Sequence, residues 1–466
     1  MKKIALFNVA DLYSFSDQFP ALGLGYIKSY CLEKIKDEVQ VMIFRENIIR
    51  AVTNYKPDLI GISSVTQFYS KAVQSAITLK KQFKDVILVI GGVHISTLPE
   101  SLNDVFDCGV IGEGEETFYE LVSLLKDNEF YKDNLKAIDG LAFKYNGELI
   151  ITRRRELIKE LDSLPHLDRN DYKHMNYSHI VSSRGCPYKC KFCSSTYFWG
   201  ASKVRYHSAQ YVFDEIRLLV EHNSAIHITF WDDLFVFSRK RLNELLELLK
   251  QAGKKYKHVT YSCTARANIV NDDLCEILRK LNVKYVYLGL ESGSDRVLKN
   301  IKGGVSVNDN INAVNTLHKW GFFVSGSFVI NNPDEEEDDL KATYEFIKAA
   351  PLSGGTVNVA IPLPATPYWD YALSKGLVSN DMDFEKLNVK TDFMNLRSGD
   401  FIKLSENITS SQIIEWGAKI QKEIGRKALL STAKLINKNN ITVAIKNPRL
   451  FLKFLFDIIK DIRKYV

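Results

Sequence analysis

A chain of 466 residues is too long for one ordinary domain and suits two or three, and 45% hydrophobic with 25% charged residues gives ample material for globular cores. The net charge is only +6, and residues 441–466 hold six Lys or Arg against two Asp, so the remainder is nearly neutral. That argues against a broad nucleic-acid footprint on the main domains. No run reaches the ~18 apolar residues of a membrane-spanning helix, and no internal repeat or low-complexity stretch appears.

The opening Met1-Lys2-Lys3 and its short apolar run read as a buried first strand rather than a signal sequence. Clustered cysteines without such a signal point to a reducing, cytoplasmic setting. Through residue 135, apolar runs at Ile4–Phe7, Val39–Phe44, Leu59–Ser63, Val86–Ile90 and Gly109–Ile111 alternate with helical patterns at Ala21–Glu33, Ile48–Tyr55, Ser70–Phe83 and Thr117–Leu125. The alternation predicts a parallel sheet with helices on both faces, which binds ligands at the carboxyl ends of its strands. Small residues stand at those ends: Ser63-Ser64, Gly91-Gly92, and Gly112-Glu113-Gly114-Glu115. They either let a bulky ligand approach the backbone or serve as ordinary turns. No GxGxxG follows the first strand, so a nicotinamide site is not supported. Residues 136–178 read as a hairpin turning at Asn146-Gly147, followed by a proline-interrupted connector.

Near the middle, Ser183-Arg184-Gly185-Cys186-Pro187-Tyr188-Lys189-Cys190-Lys191-Phe192-Cys193 places three of the chain's seven cysteines within eight residues. Three thiolates at Cys-x3-Cys-x2-Cys spacing suit a soft metal centre. The next cysteine, Cys263, is seventy residues on. The residues are therefore compatible with zinc completed by a distant fourth ligand, or with an iron–sulfur cluster that keeps one iron without a protein ligand.

Beyond the cysteines, strands at Ile226–Phe230, Val259–Cys263, Tyr285–Leu290, Phe322–Ile330 and Val357–Ile361 alternate with helices at Val212–Glu221, Arg241–Gln251, Leu274–Leu281, Asn310–Trp320 and Leu340–Ala349. With the strand leading into Cys186 these make six strand–helix units, too few for an eightfold barrel. Polar residues follow the strands: Trp231-Asp232-Asp233, Thr264-Ala265-Arg266, Gly289-Leu290-Glu291-Ser292-Gly293, and Asn331-Asn332-Pro333-Asp334-Glu335. The acidic run Asp334–Asp339 suits a helix N-terminus. Residues 371–466 read as mostly helical, with helices at Ile413–Lys422 and Arg426–Asn437 and a basic amphipathic one at Pro448–Val466. The last carries an apolar stripe that suits the protein's own core, a membrane surface or a partner helix.

The cysteine segment, with Phe192 before its last cysteine, resembles the cluster motif of radical S-adenosylmethionine (SAM) enzymes. The pieces Pro20-Ala21-Leu22-Gly23-Leu24, Gly61-Ile62-Ser63-Ser64, Gly91-Gly92-Val93-His94 and Ile111-Gly112-Glu113-Gly114-Glu115 resemble the cobalamin-binding domain that precedes many of them. The resemblance implies an α/β fold: a Rossmann-like cobalamin-binding sheet over 1–135, a hairpin and linker over 136–178, a partial (β/α)6 radical SAM barrel over 179–370, and a helical region over 371–466. It implies a [4Fe-4S] cluster on Cys186, Cys190 and Cys193, and SAM bound by Phe192, Asp232, Asp233, Arg266 and Glu291, with the glycines beside Glu291 leaving room for the nucleoside. It implies cobalamin bound by Ser63, Ser64, Gly91, Gly92, Glu113 and Gly114. Residues 8–35 contain no histidine, so that segment gives cobalt no lower imidazole; His94 reads as a helix-cap or surface histidine. Asn331 stands where the family has glycine, and asparagine tolerates the positive φ such a turn needs.

The expected reaction is reductive cleavage of SAM to a 5′-deoxyadenosyl radical, then methylation of a carbon centre in a small-molecule or peptide substrate. A flavodoxin- or ferredoxin-type protein would supply the electron. Rearrangement or cyclisation without net methylation is the alternative, and a non-catalytic cobalamin- or metal-binding regulator the alternative of another class. Methylthiolation of tRNA is disfavoured, because the N-terminal domain holds only Cys31 and Cys108.

Overall fold

The computed structural model describes residues 1–10, 21–45, 47–169, 176–199, 203–389, 393 and 395–435. Two compact units result: Met1–Asp233 with Gln251–Val259 and Pro362–Asn388, and Leu234–Lys250 with Thr260–Ile361 and the residues from Val389 on.

The first unit is built on a seven-stranded sheet of β1 (Lys2–Asn8), β2 (Val39–Phe44), β3 (Leu59–Ser63), β4 (Ile87–Gly91), β5 (Cys108–Val110), β6 (Leu141–Tyr145) and β7 (Glu148–Ile151), in the order β2-β1-β3-β4-β5-β6-β7. The first five strands run parallel. Central β3 is apolar and buried on both faces, as a strand covered by helices on each side must be, whereas burial alternates along edge strand β2. Helix Ile48–Tyr55 starts where the Asn47 side chain accepts from the Arg50 N–H and ends at Lys56 in the left-handed region, so both of its ends are capped locally. The expected hairpin is present, with Asn146 and Gly147 both at positive φ, as a type I′ turn requires. It belongs to this sheet rather than to a linker, because β6 pairs antiparallel with β5.

The connector that follows is firmly held. Leu161, Leu164 and Leu167 pack with Tyr26. His166 and Arg169 both bond the buried Glu215, at 2.9 and 2.8 Å. Burial alone would raise the Glu215 carboxyl, but His166 and Arg169 overcome it and hold the group down to about 2. The unit then adds β8 (Tyr177–Ile180), β9 (Ser183–Arg184), β10 (Arg205–Tyr206) and β11 (His227–Phe230); β8 and β11 pair in parallel, and β9 and β10 antiparallel.

The second unit carries the parallel strands β12 (Thr260–Ala265), β13 (Val283–Glu291), β14 (Phe323–Ile330) and β15 (Gly354–Val359), paired in that order. With β8 and β11 the six expected parallel strands are all present. Capping boxes at Ser306/Asp309 and Glu336/Asp339 start helices Val307–Lys319 and Glu337–Ala349, which accounts for much of the acidic run. One expectation is corrected. The two helices read from 413 to 437 form one continuous helix, Ser410–Leu435, which packs on β15 and on helix Glu337–Ala349. Gly425 inside it lowers helix propensity by about 1 kcal/mol, a cost that tertiary packing offsets. Pro448–Val466 lies outside the described residues, as does Pro20. Among the described residues no helix is long and apolar enough to cross a membrane.

Candidate functional site

Cys186, Cys190 and Cys193 are half-buried on the loop that leaves β9. The Cys193 N–H donates to the Cys190 carbonyl at 3.2 Å, closing a turn between the last two cysteines. Burial pushes the Cys193 thiol up to about 12, against a hydrogen bond from the Ser195 backbone, and Cys190, Asp233 and Cys186 raise it further. The three thiols are thus close enough to feel one another. All seven cysteines are free, and the other four are buried. Among the described residues no three His, Cys, Asp or Glu side chains are placed to share a single metal ion. A cubane is different: each thiolate takes its own iron, so its sulfurs stand farther apart than the ligands of one ion. A half-buried set of three soft donors fits that group.

The approach to this loop is fixed by Asp232, which follows β11. Its buried carboxylate accepts from the Ser182 N–H (2.6 Å), the Ser183 N–H (2.5 Å) and the Ser182 hydroxyl (2.7 Å). These donors engage both oxygens, so Asp232 secures the strand ahead of Cys186. Its neighbour Asp233 is exposed, and accepts from the Ser195 hydroxyl (2.6 Å) and the Trp199 Nε1–H (3.2 Å). Phe192 lies 6.4 Å from Tyr368, ring to ring.

A cavity of about 300 Å³ opens within this unit, between the carboxyl ends of the first sheet and the residues on either side of the cysteine loop. Ser63, Gly91, Gly92, Glu113 and Gly114 line one side. Val181, Arg184, Phe198, Trp199, Trp231 and Asp233 line the other. Gly92 has φ +99°, and a Cβ there would sit 2.5 Å from the Ser64 carbonyl oxygen, so only glycine lets β3 and β4 close up beneath the cavity. The wall is glycine-rich and largely apolar, which lets a ligand approach the backbone closely.

Three expectations need correction. Ser64 does not line the cavity: it is buried, with its hydroxyl on the Val65 carbonyl. Glu113 lines it, but its carboxylate is engaged by Arg184 (2.6 Å), Arg205 (2.8 Å) and the Ile158 N–H (2.8 Å). Burial would raise this carboxyl; the two guanidiniums prevail and hold it below its ordinary value. His94 is a core residue, fully buried, stacked on Tyr69 at 3.9 Å and bonded through Nε2 to the Ser101 hydroxyl at 2.9 Å. Burial lowers it to about 3, so it is neutral.

In the second unit, Arg266 and Glu291 are gathered around Lys302. Arg266 is buried and donates to the Lys302 and Gly303 carbonyls at 3.2 and 2.5 Å. Glu291 pairs with the Lys302 ammonium at 3.0 Å and lies at φ +64°, a strained conformation for a residue with a side chain. The strand register shifts between Gly289 and Glu291, and Asn310 donates to the Leu290 and Ser292 carbonyls on either side. Gly293 leaves no room for a ligand: a Cβ there would lie 2.6 Å from the Ala342 carbonyl oxygen, so glycine is required by the helix packed against it. Asn331 does adopt positive φ, +73°. Its buried amide donates to the Ala360 and Ile402 carbonyls and accepts from the Leu404 and Ser405 N–H groups, which explains asparagine over glycine.

Sequence reasoning missed Arg184, Trp199 and Trp231 on the cavity wall. Trp231 and Arg184 flank motifs already singled out, but their direction depends on strand pairing.

A profile of the radical SAM superfamily matches residues 180–347, and one of the B12 binding domain matches residues 12–122. The chain is 31% identical over 392 residues to the uncharacterized methyltransferase PH0819 of Pyrococcus horikoshii, covering 81% of this chain and 83% of that one. It is 26% identical over 403 residues to the anaerobic magnesium-protoporphyrin IX monomethyl ester cyclase of Rubrivivax gelatinosus, covering 83% and 71%. Its fold matches that of TsrM from Kitasatospora setae, a radical SAM methyltransferase solved with cobalamin and a [4Fe-4S] cluster, with a TM-score of 0.68 at 17% identity over 81% of this chain and 76% of that one. A barrel of radical SAM type behind a B12-binding sheet defines a radical SAM enzyme. The chain belongs to the radical SAM superfamily, in the branch that carries a B12 binding domain, whose cofactors are a [4Fe-4S] cluster, SAM and cobalamin.

Proposed function

We propose that this protein is a cobalamin-dependent radical SAM methyltransferase acting on a carbon centre. The observation that carries the reading is the cavity shared, within one unit, by the glycine-rich strand ends and the residues that flank the cysteine loop, Ser183 and Arg184 before it and Phe198 and Trp199 after it. Strand ends that suit one cofactor thus stand close to the segments flanking the cysteines that suit the other, as direct group transfer needs. In this reading Cys186, Cys190 and Cys193 hold the cluster, and Ser63, Gly91, Gly92 and Gly114 frame the corrin. When bound, the cluster supplies the electron that breaks the S–C5′ bond of SAM, and cobalamin carries the methyl group.

The chain's own residues do the rest. Asp232 fixes the backbone entering the cluster loop. Asp233, exposed at the cavity wall, is the carboxylate available to the SAM ammonium. Lys302 holds Glu291 for the ribose hydroxyls, and Arg266 anchors the loop that carries Lys302. Trp199, Trp231 and Phe198 exclude water, which protects a carbon radical. Lys189 and Lys191 are exposed on either side of Cys190, a basic rim suited to an acidic electron carrier of flavodoxin or ferredoxin type.

Anaerobic incubation of the reconstituted protein with SAM, hydroxocobalamin and a strong reductant tests the reading. It predicts bound cobalamin and release of 5′-deoxyadenosine with methionine; a protein that takes up no cobalamin refutes it. Ring closure without methylation is the second reading, supported by the cyclase relative. Product mass separates the two: one CH2 gained, or two hydrogens lost.

A further inference from the structure

Two residues before Cys186, Arg184 makes a buried ionic knot with the opposite wall of the cavity. Its Nη1 donates to Glu113 at 2.6 Å and its Nη2 to Glu115 at 2.5 Å. The three residues are only 6%, 8% and 4% exposed. Glu113 also takes Arg205, so two guanidiniums face two carboxylates and the knot carries no net charge. The Arg184 guanidinium lies 5.1 Å from the ring of Tyr26, on the helix that starts at the same cavity. Glu113 stands just before helix Gly114–Lys126 and Glu115 in its first turn, interleaved with Gly112 and Gly114, which line the cavity.

The knot therefore has one end at the cobalamin side of the cavity and the other on the strand that leads into the cluster loop. Only Gly185 separates Arg184 from the first cluster cysteine. Gly185 is at φ +97°, and a Cβ there would meet the Lys203 carbonyl oxygen at 2.6 Å, so this link has no slack. A fork bonded to two carboxylates fixes orientation as well as distance, which an ammonium cannot do.

We propose that Arg184 is a positioning residue that sets the separation of the cluster from the corrin, through Glu113 and Glu115. This rests on the reading that both cofactors bind in this unit. The test is pulsed dipolar EPR between cob(II)alamin and the reduced cluster in the full chain, loaded with iron, sulfide and hydroxocobalamin. Wild type should give one narrow distance. Arg184→Met should give a shifted mean and a broadened distribution at full iron and cobalamin content, and Arg184→Lys an intermediate result. If the Met variant does not fold, the charge-balanced Arg184→Met/Glu115→Gln protein, which keeps the Arg205–Glu113 pair, takes its place, with the same shift and broadening expected. A loss of stability alone would not move the dipolar frequency of fully loaded protein. A loaded variant with the wild-type distance distribution overturns the positioning role. A wild-type chain that takes up iron but no hydroxocobalamin overturns instead the reading of the site.

Discussion

Replacing Asp232 separates its structural duty from ligand binding. In Asp232→Ala the Ser182 and Ser183 N–H groups lose their acceptor inside the protein, and three bonds to a charged oxygen disappear. Bonds to charged groups contribute about 1.5–3 kcal/mol each, and each orphaned buried donor costs about 1–3 kcal/mol; since these terms overlap, the local cost is about 3–5 kcal/mol. At 1.4 kcal/mol per decade, that is about two to three and a half orders of magnitude in the opening of the segment before Cys186. Hydrogen exchange of a peptide covering Tyr177–Cys193 in the cluster-free chain reads this directly. Asp232→Asn keeps an oxygen for both N–H groups and an amide that donates to the Ser182 hydroxyl, so it should cost only about 1–2 kcal/mol. The opposite pattern would refute the reasoning: unchanged exchange in Asp232→Ala, with SAM affinity lost equally in both variants, makes Asp232 a ligand and not a brace.

Four further outcomes are expected. Cys186→Ala should lose the visible absorption and iron of the reconstituted protein, while Cys108→Ala, in the core of the first sheet, keeps both. Asn331→Gly keeps the positive φ but orphans the Leu404 and Ser405 N–H groups, costing about 2–4 kcal/mol in local exchange protection at 402–405. Glu335 is fully buried, with its carboxyl pushed up to about 8 by burial against the Asn332 N–H that bonds it. A carboxyl raised in the folded state contributes stability that is complete below pH 4.5 and is lost as pH rises through 8, a loss of a few kcal/mol at most. Urea titrations at pH 5 and 8.5 should show that slope in wild type and a flatter one in Glu335→Gln. Lys189→Glu should slow 5′-deoxyadenosine formation about tenfold with a flavodoxin-type reductant at low salt, converge with wild type at high salt, and leave the dithionite-driven rate alone.

The fold was readable wherever local chemistry decides it. The helix Ile48–Tyr55 matches its sequence pattern to the residue, since both of its ends are set by local capping, and the hairpin follows from Asn146-Gly147. The continuous helix Ser410–Leu435 was not, because its helicity across Gly425 comes from packing on β15, which lies far away in sequence. The site divides in the same manner. The cysteine spacing is local and names its chemistry. Gly293 looked like room for a ligand because a sequence cannot say whether a missing side chain faces a cofactor or a helix. Arg184 stayed invisible because Glu113 and Glu115 lie about seventy residues upstream, and a buried ion pair leaves no periodic trace.

The acidic pair shows how far a motif reaches before geometry must take over. Asp232 and Asp233 were read as one element facing SAM. Adjacent residues leaving a strand point to opposite sides, so one backbone geometry cannot deliver both carboxylates to one ligand. The structure resolves the pair accordingly: Asp232 turns inward onto the Ser182 and Ser183 amides, and Asp233 outward to the cavity wall beside Ser195 and Trp199. An ammonium drawn to Asp233 would then meet a carboxylate already holding a hydroxyl on the turn after Cys193. Any SAM contact there is transmitted to the cluster loop within two residues. Asp232 braces the same loop from its entrance, so the two carboxylates hold one loop from opposite ends.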